Sequence, residues 1–184
     1  MRAIEKARGS AVLSRCGLFR YRLERLVSDD GPVAAIIGVN PSTADAFVND
    51  QTIRKDMGFA ARLGWSRIIK GNLFAFRATD VRALRDAKDP IGPENDAHLS
   101  QIMRDADVIV AAWGPKAKLP PALRNRYRRI LTIADSIGKP LMCWGCSQDG
   151  SPRHPLMLAY STPLELWHRG ANLSRLRAEA GEME

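Results

Sequence analysis

Val33-Ala34-Ala35-Ile36-Ile37-Gly38-Val39 is an unbroken apolar run, entered from Asp29-Asp30-Gly31-Pro32 and left through Asn40-Pro41-Ser42-Thr43. A strand with one wet face alternates apolar and polar residues, so a continuous run rich in β-branched and small side chains predicts a strand buried on both faces. Ile68 to Phe76 reads as the second strand, Val108 to Trp113 as the third and Leu141 to Trp144 as the fourth. Helical spacing fills the intervals. Asn49 or Asp50 caps a helix with Ile53, Met57, Ala60 and Leu63 on one stripe and Gly64 at its end. Pro93 opens a second helix, with Leu99, Ile102 and Met103 inward and an end near Ala106. Leu123, Tyr127, Ile130, Leu131, Ala134 and Ile137 form a third, stopped by Gly138, and a shorter helix is expected from about Pro163. Strands alternating with helices predict an α/β fold: a three-layer α/β/α sandwich around a central four-stranded parallel sheet. Arg20 to Leu26 alternates in character after Cys16-Gly17, which predicts an N-terminal β-hairpin over residues 11–26.

The chain has 184 residues, 45% apolar and 26% charged, which suits one globular domain over 1–184. Residues 1–30 form the hairpin extension of that domain, and 178–184 a frayed tail. No apolar run approaches the ~20 residues of a membrane span, and Arg2, Lys6 and Arg8 are not followed by the apolar segment of a signal peptide. Three cysteines, Cys16, Cys143 and Cys146, are too few and too odd for a secreted disulfide scaffold, so the expected setting is the cytoplasm. Twenty-eight basic against 20 acidic residues leave a net charge of +8. That surplus favours a polyanionic partner. Six bases and no acid lie between Pro115 and Arg129: Lys116, Lys118, Arg124, Arg126, Arg128 and Arg129. They make either a nucleic-acid surface or a solvated helix face.

In an open α/β sheet the ligand lies beyond the carboxyl ends of the strands. Four segments occupy those ends: Gly38 to Thr43, Asn72 to Arg77, Trp113 to Lys116, and Trp144 to Cys146 running on to Pro152-Arg153-His154-Pro155. Asn40 has one acceptor and two donors with which to hold a water or a substrate edge, or to tie its own turn. Asn72 sits inside an otherwise apolar strand, where an amide must find partners, in a ligand or in neighbouring backbone. Phe74 and Phe76 either stack on a ligand or belong to the core. His154, in a loop between two prolines, suits stabilisation of a leaving anion, whereas His98 and His168 read as surface or packing residues. Asp45 and Asp50 follow the first turn closely enough to assist a water, or else solvate the loop and cap the helix. Cys143-Trp144-Gly145-Cys146 has metal or redox spacing but no second pair, and is read as structural with no metal. Dinucleotide, nucleoside-triphosphate and serine-hydrolase motifs are absent from the sequence.

Together the four segments resemble the motif set of the uracil-DNA glycosylase superfamily. Gly38-Val39-Asn40-Pro41 resembles its water-positioning motif, in the form found in the mismatch-specific uracil/thymine branch. Asn72-Leu73 matches the position of the asparagine that reads the base edge. Trp113-Gly114 with Ala117 resembles the Trp-Gly-x-x-Ala ending of the third strand. His154-Pro155 resembles the His-Pro of the second catalytic motif, although the chain continues Leu156-Met157 instead of Ser-Pro. Asn40 also stands where the faster uracil enzymes carry Asp. Over roughly residues 20–160 the sequence is similar to a bacterial and phage domain family of unknown function, through Asn40 to Asp45, Asp50 to Arg54, Asn72 to Asp80, Gly92 to Asp96 and Arg153 to Leu156.

The resemblance implies a monofunctional, cofactor-free DNA glycosylase. It would flip a nucleotide out of the stack and cut its N-glycosidic bond to leave an abasic site. Asn40, helped by Asp45, would position water, and His154 would stabilise the departing base. Asn72, Phe74, Phe76 and Ser42 would bind the base, while Arg77, Lys116, Lys118, Arg126 and Arg153 would hold DNA. The expected substrate is a modified pyrimidine such as hydroxymethylcytosine or its glucosylated form, otherwise uracil or mismatched thymine. The setting would be antiviral defence or repair, the partner DNA and the state a monomer. The alternatives are a non-catalytic nucleic-acid or nucleotide-binding module and a hydrolase of free nucleosides or nucleotides.

Overall fold

The computed structural model describes residues 9–169, and the expected tail at 178–184 lies outside them. Seven strands form one mixed sheet: β1 Gly9–Leu13, β2 Arg20–Leu26, β3 Val33–Gly38, β4 Arg67–Asn72, β5 Val108–Ala111, β6 Leu141–Cys143 and β7 Glu165–His168, in the order β1-β2-β4-β3-β5-β6-β7. The four apolar runs become β4, β3, β5 and β6, which are mutually parallel in the middle of the sheet. A purely parallel sheet of four strands is therefore corrected to a sheet of seven. Antiparallel pairs close both sides: the β1–β2 hairpin on β4, and β7 on β6.

Side-chain alternation along the central strands explains the packing. Ala35, Ile37, Ile69, Ile109 and Ala111 share one core with Leu99, Ile102 and Met103 of α2 (Asn95–Asp105) and with Ile130, Ile133 and Ala134 of α3 (Tyr127–Ile137). Ala34, Ile36, Ile68 and Val110 point the other way, onto Phe59 and Ala60 of α1 (Gln51–Leu63). Helices thus cover both faces. Helix α1 begins where Asp50 accepts the backbone N–H of Ile53 and ends at Gly64, which takes the left-handed conformation at φ 70°. Leu63, counted in its apolar stripe, is instead exposed.

Two expected elements differ. The run Ile68 to Phe76 stops being strand at Asn72, because Leu73 and Phe74 turn to donate their backbone N–H groups to the carbonyls of Gly38 and Val39. The helix expected from Pro163 is strand β7. Its Leu166 and Glu165 pair with Met142 and Cys143, so the open edge of the short β6 outweighs the helix-start signal of the proline. No helix among the described residues is long and apolar enough to cross a membrane.

Candidate functional site

The carboxyl ends of β3 and β4, the start of α1 and the loop after β6 surround a cleft of about 940 Å³. Val39, Asn40, Ser42 and Thr43 form one wall, Asp50, Gln51, Thr52 and Arg54 a second, Ala78 to Arg82 a third, and His154 with Leu156 close it. Asn40 and His154, 114 positions apart in the chain, meet here because parallel strands deliver all their carboxyl ends to one side of the sheet.

The orientation of Asn40 is fixed by its donors. Its Nδ2 donates to the carbonyl oxygens of Pro41 at 3.1 Å and Ala78 at 2.6 Å. Both amide protons are then spent on backbone, and the side-chain oxygen is left as an acceptor suited to a water. His154 caps the short turn Pro155–Met157, its Nδ1 accepting the backbone N–H of Leu156 at 3.3 Å. The proton of the neutral ring is therefore on Nε2, which acts as a donor. Burial, reinforced by the positive charges of Lys70 and Lys118 and opposed by Asp50, drops the pKa of this histidine from 6.5 to about 4. Gly114, at φ 81°, lets the β5 loop pass close to the ring's own backbone; a Cβ there would stand 3.3 Å from His154 Cβ.

A pH prediction follows from the sign of that shift. Between pH 6.5 and about 4 the unfolded chain binds a proton at His154 that the folded chain refuses. The resulting stability is fully present above 6.5 and is lost as pH falls towards 4. Denaturant titrations of wild type and His154→Gln across that window should show the steeper acid loss in wild type. Equal losses would mean that the ring is not held neutral by the fold.

Beneath the cleft, Gly38 pairs with Asn72 across β3 and β4. Asn72 is 2% exposed, and its backbone carbonyl accepts from Asn95. Lys70, two residues back on the same face, donates to Asp56 Oδ2 of α1 at 2.7 Å in a fully buried pair. Burial pushes the Asp56 carboxyl up while the Lys70 charge pulls against it. The sequence reading missed both residues. A lysine inside the run Arg67-Ile68-Ile69-Lys70-Gly71-Asn72 was the available signal, since a buried cation demands a buried acid. Asp56 sits three residues after Ile53 and three before Phe59, all buried on one stripe of α1.

The remaining expected site residues divide. Ser42 lines the cleft. Asp45 does not: its Oδ1 accepts the backbone N–H groups of Phe47 and Val48, bonds that hold the carboxyl below its usual range and bind it to its own turn. Of the two acids considered, Asp50 is the one at the cleft. Phe74 and Phe76 are corrected from base-stacking to packing positions. Phe74 is fully buried in the α2–α3 core, and Phe76 packs edge-on against Phe19 at 6.2 Å, because the chain leaves β4 towards the opposite face.

The DNA-binding set thins in the same way. Arg126 is corrected to an internal tie: it pairs with Asp96, and its Nε donates to the Leu73 carbonyl at 2.9 Å. Arg129 takes the other oxygen of Asp96, so part of the basic run is neutralised inside the fold. Arg77 is half-buried and donates to the Gly17 carbonyl of the hairpin turn. Lys116 is half-buried, its backbone held by Asp149 and Ser151. Lys118 and Arg153 are exposed. Lys118 shares with Arg82 and Arg85 a second, adjoining hollow of about 530 Å³. Arg82 lines both hollows, and Arg54 adds a base to the cleft that the sequence reading did not single out.

Cys143 is buried and Cys146 exposed. Burial and the neighbouring Cys146 push the Cys143 thiol up to about 12, which makes it unreactive. Among the described residues no group of three or more His, Cys, Asp or Glu side chains is placed to hold a metal ion.

A family model described as a protein of unknown function (DUF1643) matches residues 20–156, a span that contains every residue lining the cleft. No curated protein and no solved structure matches the chain.

Proposed function

The chain belongs to the DUF1643 family of proteins of unknown function, and for it we propose a monofunctional DNA glycosylase of the cytoplasm, built as a three-layer domain like that of the uracil-DNA glycosylases. The observation that carries this reading is the convergence of Asn40 and His154 on one cleft, beside the end of β4 where Asn72 is buried. In this reading a flipped nucleotide enters the cleft, since its glycosidic bond is out of reach inside the stack. The C1′–N1 bond breaks with its electron pair left on the base, and the sugar carries the positive charge. A water held by Asn40 Oδ1 adds its oxygen to C1′ and gives up a proton, the base anion takes up a proton, and one water is consumed in all.

Each group has a role that its surroundings support. Asn40 is neutral and cannot serve as a strong base, so it orients the water instead of deprotonating it. Asp50, facing the same cleft, supplies negative charge near the cationic sugar. His154 offers its Nε2–H to the developing anion without first needing to be protonated. Fixed dipoles of this kind account for most of the rate in reactions where charge develops. Arg54, Lys118 and Arg153 supply exposed positive charge for phosphates. Asn72 is suited to the base edge, and Ser42 to a second polar contact. The favoured substrate remains a pyrimidine enlarged at C5, as in modified phage DNA.

The test is abasic-site formation, read by alkali cleavage, on duplexes carrying uracil, mismatched thymine, hydroxymethylcytosine and glucosylated hydroxymethylcytosine. Breaks at one base, lost in His154→Ala, are the expected result. Silence on all four together with salt-sensitive DNA binding would overturn catalysis and leave a binding module. Release of bases from free nucleosides, with no effect of salt, would point to the nucleoside hydrolase.

A further inference from the structure

We propose that Lys70, held by Asp56 beneath the cleft, is a positioning residue that supplies the fixed positive charge against which the base departs as an anion. The proposal rests on the base-excision reading of the cleft and adds two residues that the motif resemblance does not contain.

Lys70 lies on β4, between β2 and β3, 3% exposed, and its partner Asp56 is completely buried. Two charges taken out of water are costly, and an apolar pair of similar volume commonly serves a core as well or better. Packing alone therefore does not call for an ion pair here. Its location gives the reason. A Cβ on Gly38 would stand 2.8 Å from Asn72 Oδ1, 3.0 Å from Lys70 Cε and 3.3 Å from Lys70 Nζ. The lysine and asparagine heads thus cross directly over the residue at which β3 gives way to the Val39-Asn40 wall. A side chain at position 38 would displace them. One Lys70 proton goes to Asp56 Oδ2, and an ammonium carries three. Asp56 Oδ1 is buried with no partner among the described residues. The layer below the cleft is polar, and Asp56 Oδ1 keeps hydrogen-bonding capacity unused.

The charges that face His154 come from three elements. Lys70 stands on β4, Lys118 on the turn after β5, and Asp50 at the start of α1. Arg54, Asp80 and Arg82 border the same cleft, the last two paired with each other. In a site of low dielectric a fixed cation acts over several ångströms. With Lys70 below, His154 remains a neutral donor while the ammonium adds positive potential for the departing base. The cation stays out of solvent, where salt would screen it.

The electron pair of the broken C1′–N1 bond ends on the base, so the importance of Lys70 should grow as the base becomes a poorer anion. The experiment compares single-turnover release of the 5-fluoro, unsubstituted and 5-methyl forms of the pyrimidine that the wild type excises. Lys70→Met alone strands a buried carboxylate and risks the fold, so the working variant is Lys70→Met with Asp56→Leu, and Lys70→Arg keeps the cation. The double variant is expected to lose at least tenfold in rate with the unsubstituted base, less with the 5-fluoro and more with the 5-methyl form. Its acid limb should move up in pH as His154 becomes easier to protonate, and Lys70→Arg should restore most of both responses. One common factor across the three bases with an unmoved acid limb, or a Lys70→Arg loss equal to that of the double variant, would overturn the proposal. A wild type that releases no base at all overturns the glycosylase reading itself and this inference with it.

Discussion

Asn40→Ala is expected to lower single-turnover base release by about 10²–10³-fold, the size of loss seen when one preorganised polar group is removed from a charge-developing site. The same change removes two donors from the carbonyls of Pro41 and Ala78, which costs about 1–3 kcal/mol of stability. Measuring release below the denaturation midpoint separates the two effects. Asn40→Asp discriminates further. A carboxylate in the observed orientation sets an oxygen against those two carbonyl oxygens, at the 3.1 and 2.6 Å now spanned by hydrogen bonds. Repulsion raises the pKa of that new acid. Its stability deficit is then largest at neutral pH and shrinks as pH falls and the carboxyl regains a proton to donate. Asn40→Asp should therefore be less stable than wild type and no faster. A faster Asn40→Asp enzyme would show that the side chain turns round, and that water is activated by charge instead of being oriented by an amide.

The parts of the molecule that were legible in the sequence are those where a local pattern and the tertiary demand agree. Val33 to Gly38 has no charge to place, so both faces must be covered, and they are. Asp50 and Gly64 mark the ends of α1 because a cap side chain and a left-handed glycine satisfy helix ends locally. Asn40 and His154 were legible because short polar punctuation after a parallel strand has one place to go. What failed depended on partners distant in sequence. Nothing near Arg126 signals that Asp96 will neutralise it, so it looked like a phosphate contact. Phe74 and Phe76 lie beyond the point where β4 turns, and a strand that ends four residues early, at Asn72, sends them to the opposite face. Pro163 carries a helix-start signal that the unpaired edge of β6 overrides. Lys70 was visible as an anomaly, but only with Asp56 opposite does it acquire a role.

Arg25 should prove as necessary to the cleft as any residue lining it. It lies in β2, fully buried, on the face that meets α1. Its Nε donates to Asn49 Oδ1 at 2.6 Å, and its terminal nitrogens reach the carbonyls of Glu24, Val48 and Asp45. One guanidinium thus clamps residues 45–49, the segment that delivers Asp50 to the cleft and to the start of α1. Arg25→Met removes every one of these bonds around a guanidinium that is itself fully buried, for an expected loss of about 3 kcal/mol in denaturant unfolding. Lysine carries the charge as a single point and lacks the planar fork, so Arg25→Lys should recover only part of the loss. Because the segment positions Asp50, base release should fall by tenfold or more at temperatures where the variant is still folded, and amide exchange should quicken across 45–50 before it does elsewhere. The competing account is that the Asp45 turn, with its two bonds to Phe47 and Val48, holds the segment unaided. Unchanged exchange and unchanged rate in Arg25→Met would establish that account, and Arg25 would then contribute stability alone.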